Sequence, residues 1–167
     1  MRLLRPNPGE IADRQTILEL KIKYGGGKQE PTITSDEITE VGVDGSKRMN
    51  SRTILKDPSP INIQPFIDEN ETLQLYLEKA WFPDISAESG KQYDQLYEEL
   101  AELNHQVWKL TDQAHTLREA PDRMQAAALE RAAEVLFAIT DLNDKRAEIV
   151  KKINALFAVS VQEKIFS

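Results

Sequence analysis

Apolar residues recur at alternating spacings of four and three over most of the second half of the chain, the signature of helices that share a seam. Leu96, Leu100, Leu103, Val107, Leu110, Ala114 and Leu117 mark one helix over about 87–118. Ala132, Val135, Ile139, Leu142, Ile149, Ile153 and Leu156 mark another over about 122–158. Only "EAPD" separates them, with Pro121 as the break, so the two are expected to fold back as a long antiparallel hairpin. Upstream, "NPGEIADRQTILELKIKY" predicts a short helix over 7–24. Asn7 suits its cap, Pro8 its first position and Glu10 its first turn, while Ile11, Leu18 and Ile22 give its apolar face. A further helix is expected at about 68–82, with Leu73, Tyr76, Leu77 and Ala80 inward and Pro83 stopping it. Between them, residues 25–66 hold five of the seven glycines and two short β-branched runs, with a turn signal at Asp44-Gly45. That segment reads as an irregular or β-hairpin insertion. The tail "VSVQEKIFS" alternates weakly and is expected to lie back along the bundle. The predicted architecture is mainly α: one helical-bundle domain over 1–167 with a loop-rich insertion at 25–66.

One seam position breaks the pattern. Between Leu142 and Ile149 the spacing requires an apolar side chain, and the chain places Arg146 there. A guanidinium buried without a partner would cost several kcal/mol, so a carboxylate is expected beside it, with Asp112, Glu10 and Asp13 as candidates. Helical geometry puts a stripe of Asn104, Trp108, Asp112 and His115 beside the seam of the third helix, and Asn143 and Asn154 beside that of the fourth. The first helix adds Glu10, Asp13 and Lys21, or Thr16, depending on its rotation. Two readings stay open: an internal ion pair that fixes helix register, or the lining of a ligand pocket. Trp108 is a core residue in the first and a stacking platform in the second. His105 falls on the outer flank and is expected to be solvated.

The net charge of −7 argues against general nucleic-acid binding. Residues 1–64 carry +1 and 65–167 carry −8, so the first half is the more favourable side for an anion. There, Lys47, Arg48 and Arg52 form either a solvated loop or a lid over an anion. Without cysteines, thiolate chemistry is excluded. No signal-peptide pattern and no apolar run of membrane length are read, so a cytoplasmic location and no membrane contact are expected. "GGGK" at 25–28 lacks the spacing of a phosphate-binding loop. The pair "ELAE" and "EAPD" superficially matches the acidic motifs of all-α nucleotide pyrophosphohydrolases, but Pro121 interrupts the second. Asp112, His115 and Glu119 have helical spacing for a cation, but with no second histidine on that face no metal and no cofactor is expected.

The blocks "NPGEIADRQTILELKI", "LNHQVWKLTDQ", "DLNDKRAEIVKKIN" and "QEKIF" carry a resemblance. In order, they are similar to the signature of small helical bacterial and viral families of unknown function. The nearest is often found near glycosyltransferase genes and runs Pro-Gly-Glu-Leu-Ile-Asp, Thr-Ile-Leu, Asn, Leu-Trp, Asp, then Asn-Asp-x-Arg-Ala. The resemblance covers roughly 65 residues. It implies that Glu10, Asp13, Thr16, Lys21, Asn104, Trp108, Asp112, Asn143, Arg146 and Asn154 correspond to that family's polar signature. His115 stands where the pattern often has Arg, and the stretch 25–65 is longer than the usual connection.

The expected function is non-catalytic binding of a small anionic ligand, a nucleotide or nucleotide sugar, in a polar pocket between helices. Arg146, Asn143, Asn154, Asn104, Trp108, Asp112, Glu10, Asp13, Thr16, Lys21 and His115 would line it, with Arg48 and Arg52 from the insertion. A viral protein that sequesters a host nucleotide signal is one concrete form. The alternatives are an enzyme acting on a phosphorylated or glycosyl substrate, and an oligomerising structural module in which Arg146 makes a buried salt bridge only. A homo-oligomer is expected.

Overall fold

The computed structural model describes residues 6–25, 33–41, 47–55 and 61–166, with side chains for 6–25 and 61–158. Helix α1 (Pro8–Lys23) begins by satisfying every backbone group that a helix start leaves without a partner. Pro8 has no N–H. The Gly9 N–H donates to Asn154 Oδ1 at 2.7 Å, and the Glu10 N–H donates to Asn7 Oδ1 at 2.9 Å. The Glu10 carboxylate in turn accepts from the Asn7 N–H, completing a capping box. Gly9 is there for space: a Cβ on it would meet the Val150 carbonyl and come within 2.8 Å of Asn154 Oδ1. The four residues "NPGE" thus cap α1 and let its first turn lie directly on the last long helix. At the other end, Gly25 turns the chain with φ +63°, a conformation glycine adopts without strain.

The insertion contains an antiparallel hairpin, β1 (Ile33–Val41) and β2 (Lys47–Leu55), in register from Ile33 opposite Leu55 to Val41 opposite Lys47. The expected turn at Asp44-Gly45 lies outside the described residues, as do the side chains of Lys47, Arg48 and Arg52. Backbone pairing sets Arg48 opposite Glu40 and Arg52 opposite Asp36.

Helix α2 (Gln64–Ala80) starts four residues before the expected point, because Pro65 sits in its first turn, where a missing N–H costs nothing. It ends at Trp81, and a single 3₁₀ turn, Phe82–Asp84, carries Pro83. Leu77 is buried and Leu73 and Tyr76 pack on the core, but Ala80 is exposed, contrary to expectation. Charged side chains of α1 reach α2 at two points. Arg14 makes a two-pronged bridge to Glu69 at 2.6 and 3.0 Å, and the Lys21 ammonium lies 5.1 Å from the Phe66 ring centre. The bridge is exposed, so it orients α2 more than it stabilises.

Helices α3 (Ala87–Glu119) and α4 (Ala126–Phe166) form the expected hairpin. Residues 122–125 form a turn, so α4 begins four residues late. It also continues through the tail, which contains no glycine or proline to stop it; the expected return along the bundle is replaced by helix. Tyr93 packs on Phe157, and Asn104 meets Arg146, eleven residues along in each helix. One antiparallel register therefore holds over three turns. The core gathers Ile11 and Ala12 of α1, Leu77 of α2, Tyr93 and Leu100 of α3, and Ile149, Ile153 and Phe157 of α4. Trp81, Phe82 and Tyr93 close one end around Phe157 with edge-on and stacked contacts.

Beyond Trp108, the covered positions of the hairpin are mainly those facing the partner helix, among them Leu110, Ala114 and Leu117 on α3 and Val135 and Ile139 on α4. This distal half is an arm. Among the described residues, no helix is long and apolar enough to cross a membrane.

Two glycine substitutions test the packing of α1. Gly9→Ala should lower stability by about 2 kcal/mol, the cost of forcing α1 off α4. Gly90→Ala, in α3 with open space around the position, should raise it by about 0.5–1 kcal/mol. Urea unfolding of the two variants measures both.

Candidate functional site

Where α1 crosses the hairpin, three polar side chains converge on the carboxamide of Asn104, which is only 3% exposed. Its Nδ2 donates to Asp13 Oδ1 at 2.9 Å and to Thr16 Oγ1 at 2.8 Å. Its Oδ1 accepts from Arg146 Nη1 at 3.3 Å. Arg146 Nε lies 3.5 Å from Asp13 Oδ1, closing the ring, and Thr16 also donates to the Asp13 carbonyl at 2.9 Å. The amide can sit only one way round, since Arg146 offers only donors and the Asp13 carboxylate only acceptors.

Arg146 therefore has a carboxylate partner, and of the three candidates it is Asp13. Asp112 is exposed, and its carboxylate makes no hydrogen bond or ion pair among the described residues. Glu10 is used in the capping box, and His115 is exposed further along the arm. Asn154 belongs to the start of α1, two turns from Arg146. Lys21 faces α2 and Phe66. Asn143 is half-buried one turn before Arg146.

Trp108, one turn beyond Asn104, stacks on Tyr24 with ring centres 6.1 Å apart and planes inclined by 21°. The Tyr24 hydroxyl and His105 Nε2 share a hydrogen bond of 2.9 Å, so His105 is part of this edge rather than simply solvated. The Arg146 side chain is 31% exposed and its Asp13 partner 21%. Its Nη2 has no hydrogen-bond partner among the described residues.

A second polar region was missed by sequence reasoning. Between α1, α2 and α3 lies a cavity of about 600 Å³ bordered by the carboxylates of Glu19, Glu71, Glu78 and Asp94. Its walls include Tyr93, Tyr97 and Phe82, and none of its lining residues is basic. Tyr97 donates to Glu19 at 2.7 Å. Burial, followed by the neighbouring carboxylates, pushes both phenols well above their ordinary range; for Tyr97 the hydrogen bond to Glu19 adds to this. Gln15 sits on its floor, and the signal was available: Gln15 fills the gap between Ile11 and Leu18 on the apolar face of α1, as Arg146 fills the gap on α4.

Among the described residues, no group of three or more His, Asp or Glu side chains is placed to hold a metal ion. Compared with protein-family models, curated proteins and solved structures, the chain matches none.

The cluster sets an expectation for stability. Asn104→Ala removes the donor to Asp13 and Thr16 and the acceptor of Arg146 Nη1 at once and should cost about 2–3 kcal/mol. Asp112→Ala should change stability by less than about 0.5 kcal/mol. Chemical denaturation distinguishes the two.

Proposed function

We propose that the protein binds a small anionic, phosphate-bearing molecule of the nucleotide type without transforming it, at the open edge of the Arg146 cluster. The observation that supports this is the state of Arg146. Asp13 and Asn104 fix its Nε and Nη1, leaving Nη2 without a partner among the described residues while a third of the side chain reaches solvent. A guanidinium held in this way is preorganised for a phosphate oxygen, because its rotamer is already fixed by the fold. Asn143 stands one turn away, and the Tyr24–Trp108 stack provides an aromatic face for a base or sugar ring. Catalysis by acid–base transfer would call for a second titratable group beside Asp13. The cluster's other members are amides, a hydroxyl and the guanidinium, which hold and orient. Carriage, sensing or sequestration of a nucleotide signal are the roles such a site fits.

Differential scanning fluorimetry against nucleotides, cyclic nucleotides and nucleotide sugars tests this reading. A ligand at a hundred times its Kd should stabilise the fold by about 2.7 kcal/mol. Arg146→Lys should keep the ion pair with Asp13 but lose most of the ligand-induced shift. A ligand shift that persists in Arg146→Lys and in Trp108→Ala contradicts the site, and turnover of the bound compound contradicts the absence of catalysis.

A second reading concerns assembly and rests on the arm. Leu129, Leu136 and Phe137 are 49%, 62% and 68% exposed. Leu129, Ala133 and Phe137 follow one another at intervals of four and form a stripe on a face of α4 away from the seam, with Leu136 beside it. The stripe is bulky at both ends and small at Ala133 between them, so an antiparallel copy of itself would meet it with Leu129 beside Phe137. A two-fold contact between arms of two copies follows from that self-complementarity. Light scattering after gel filtration should give a dimer that Leu136→Glu with Phe137→Glu converts to monomer. A monomeric wild-type chain refutes it.

A further inference from the structure

The groove that α1 fills on the hairpin does not end where α1 ends. On α4, Val150 meets Gly9, and stepping back along the helix by sevens gives Asn143, Leu136 and Leu129. On α3, Asn104 holds Asp13 and Thr16, and Trp108 stacks on Tyr24; seven residues further on stand Thr111 and His115. Steps of seven keep to one face of a helix, drifting by only about 20° each. These positions therefore continue the α1-bearing face along the arm. There Thr111 and His115 are exposed, and Leu129 and Leu136 are 49% and 62% exposed. α1 itself ends at its cap, Tyr24, after which Gly25 turns the chain with φ +63°.

The Arg146 edge lies at this junction, and alone it is short of positive charge. Asp13, 3.5 Å from Arg146 Nε, offsets the guanidinium, whereas a terminal phosphate carries about −1.5 to −2 at neutral pH. The cations at the end of α1 are engaged: Lys21 lies over the Phe66 ring and Lys23 over Tyr24. An unengaged one stands at the tip of the arm. Arg123 is exposed, and its guanidinium makes no hydrogen bond or ion pair among the described residues. Within one chain, α4 from Ala126 to Arg146 keeps the tip about 30 Å from the site. A second copy removes that distance. Ala126 lies about 10 Å along α4 on one side of Ala133, and Asn143 about 15 Å on the other. With two arms antiparallel about Ala133, the turn at 122–125 of one copy therefore extends onto Asn143 and Arg146 of the other. We propose that the anion site is shared between two copies of the chain. The arm of each lies in the groove beyond the other's α1, and its Arg123 joins Arg146 and Asn143 of the other copy on the ligand's phosphates. This rests on the anion-binding reading and on the pairing of arms; it adds which face pairs and which residue crosses.

Because the chain has no cysteine, engineered cross-links read the geometry without a ligand. Under mild oxidation Ala133→Cys should cross-link to itself. Arg123→Cys should cross-link to Asn143→Cys when the two variants are mixed, and neither should do so alone. Isothermal titration of the full chain with pyrophosphate reads the charge: affinity should fall about tenfold in Arg123→Ala and in Arg146→Lys. Mixing those two variants should restore wild-type affinity at about a quarter of the sites, since half of the dimers are mixed and each of these holds one intact site. Cross-linking of Ala133→Cys without the mixed pair, or pyrophosphate affinity unchanged in Arg123→Ala, overturns the shared site and leaves the pairing of arms standing. Both cross-links without any pyrophosphate binding overturn the anion-binding reading, and the shared site with it. No cross-link in either experiment overturns the pairing of arms and the shared site together.

Discussion

The structure depends on one carboxamide. Asn104 has both of its N–H groups and its oxygen in use inside a helical interface, and each partner comes from a different part of the chain: Asp13 and Thr16 from α1, Arg146 from α4. Apolar packing alone lets a short helix slide or rotate on a hairpin at modest cost. A fully satisfied amide does not, because a slip of one residue would leave several buried polar groups without partners. Gly9 and Asn154 fix the other end of α1 in the same way. The crossing of α1 over the hairpin is thus set at two polar points, with Ile11 and Ala12 packed between them.

This constraint explains the placement of the remaining chemistry. With α1 fixed, its opposite sides are committed to different neighbours. One presents Asp13 and Thr16 to the hairpin and holds Arg146 with one edge open. Another presents Gln15 and Glu19 to the acidic cavity beside α2 and α3. Much of the polar pattern along the sequence is therefore accounted for by architecture: Glu10 caps, Asp13, Thr16 and Asn104 lock, and Asn154 holds Gly9. What architecture leaves over is narrow, namely the free edge of Arg146, Asn143 and the Tyr24–Trp108 stack on one side, and the buried, unpartnered oxygen of Gln15 on the other.

The helices of the hairpin were legible in the sequence because a seam of Leu, Val and Ile at alternating spacings of three and four matches the period of a helix and not that of a strand. Arg146 was legible as its exception, and Asp13 stood among its three candidate partners. Asp112 and His115 were grouped with Asn104 for a sound reason that fails in three dimensions. A helical wheel gives the angle around the axis but not how far along it a covering helix extends, and α1 ends at Tyr24, beside Trp108. Gln15 was overlooked because a neutral amide in an apolar face carries no charge to draw notice, although its position is as anomalous as that of Arg146. The starts of α2 and α4 were misjudged by four residues each, where Pro65 proved part of a helix and Pro121 was followed by a full turn.

The coupling between Asp13 and Arg146 tests the central claim most directly. A double-mutant cycle with Asp13→Ala and Arg146→Met, read by urea unfolding, isolates the interaction from the rest of the interface. If the pair acts through the Asn104 ring, the cycle should give a coupling of about 1 kcal/mol, and the same cycle in an Asn104→Ala background should give markedly less. Single-mutant effects that add to within about 0.3 kcal/mol in the wild-type background would contradict it. They would mean that the Asn104 ring does not couple α1 to α4.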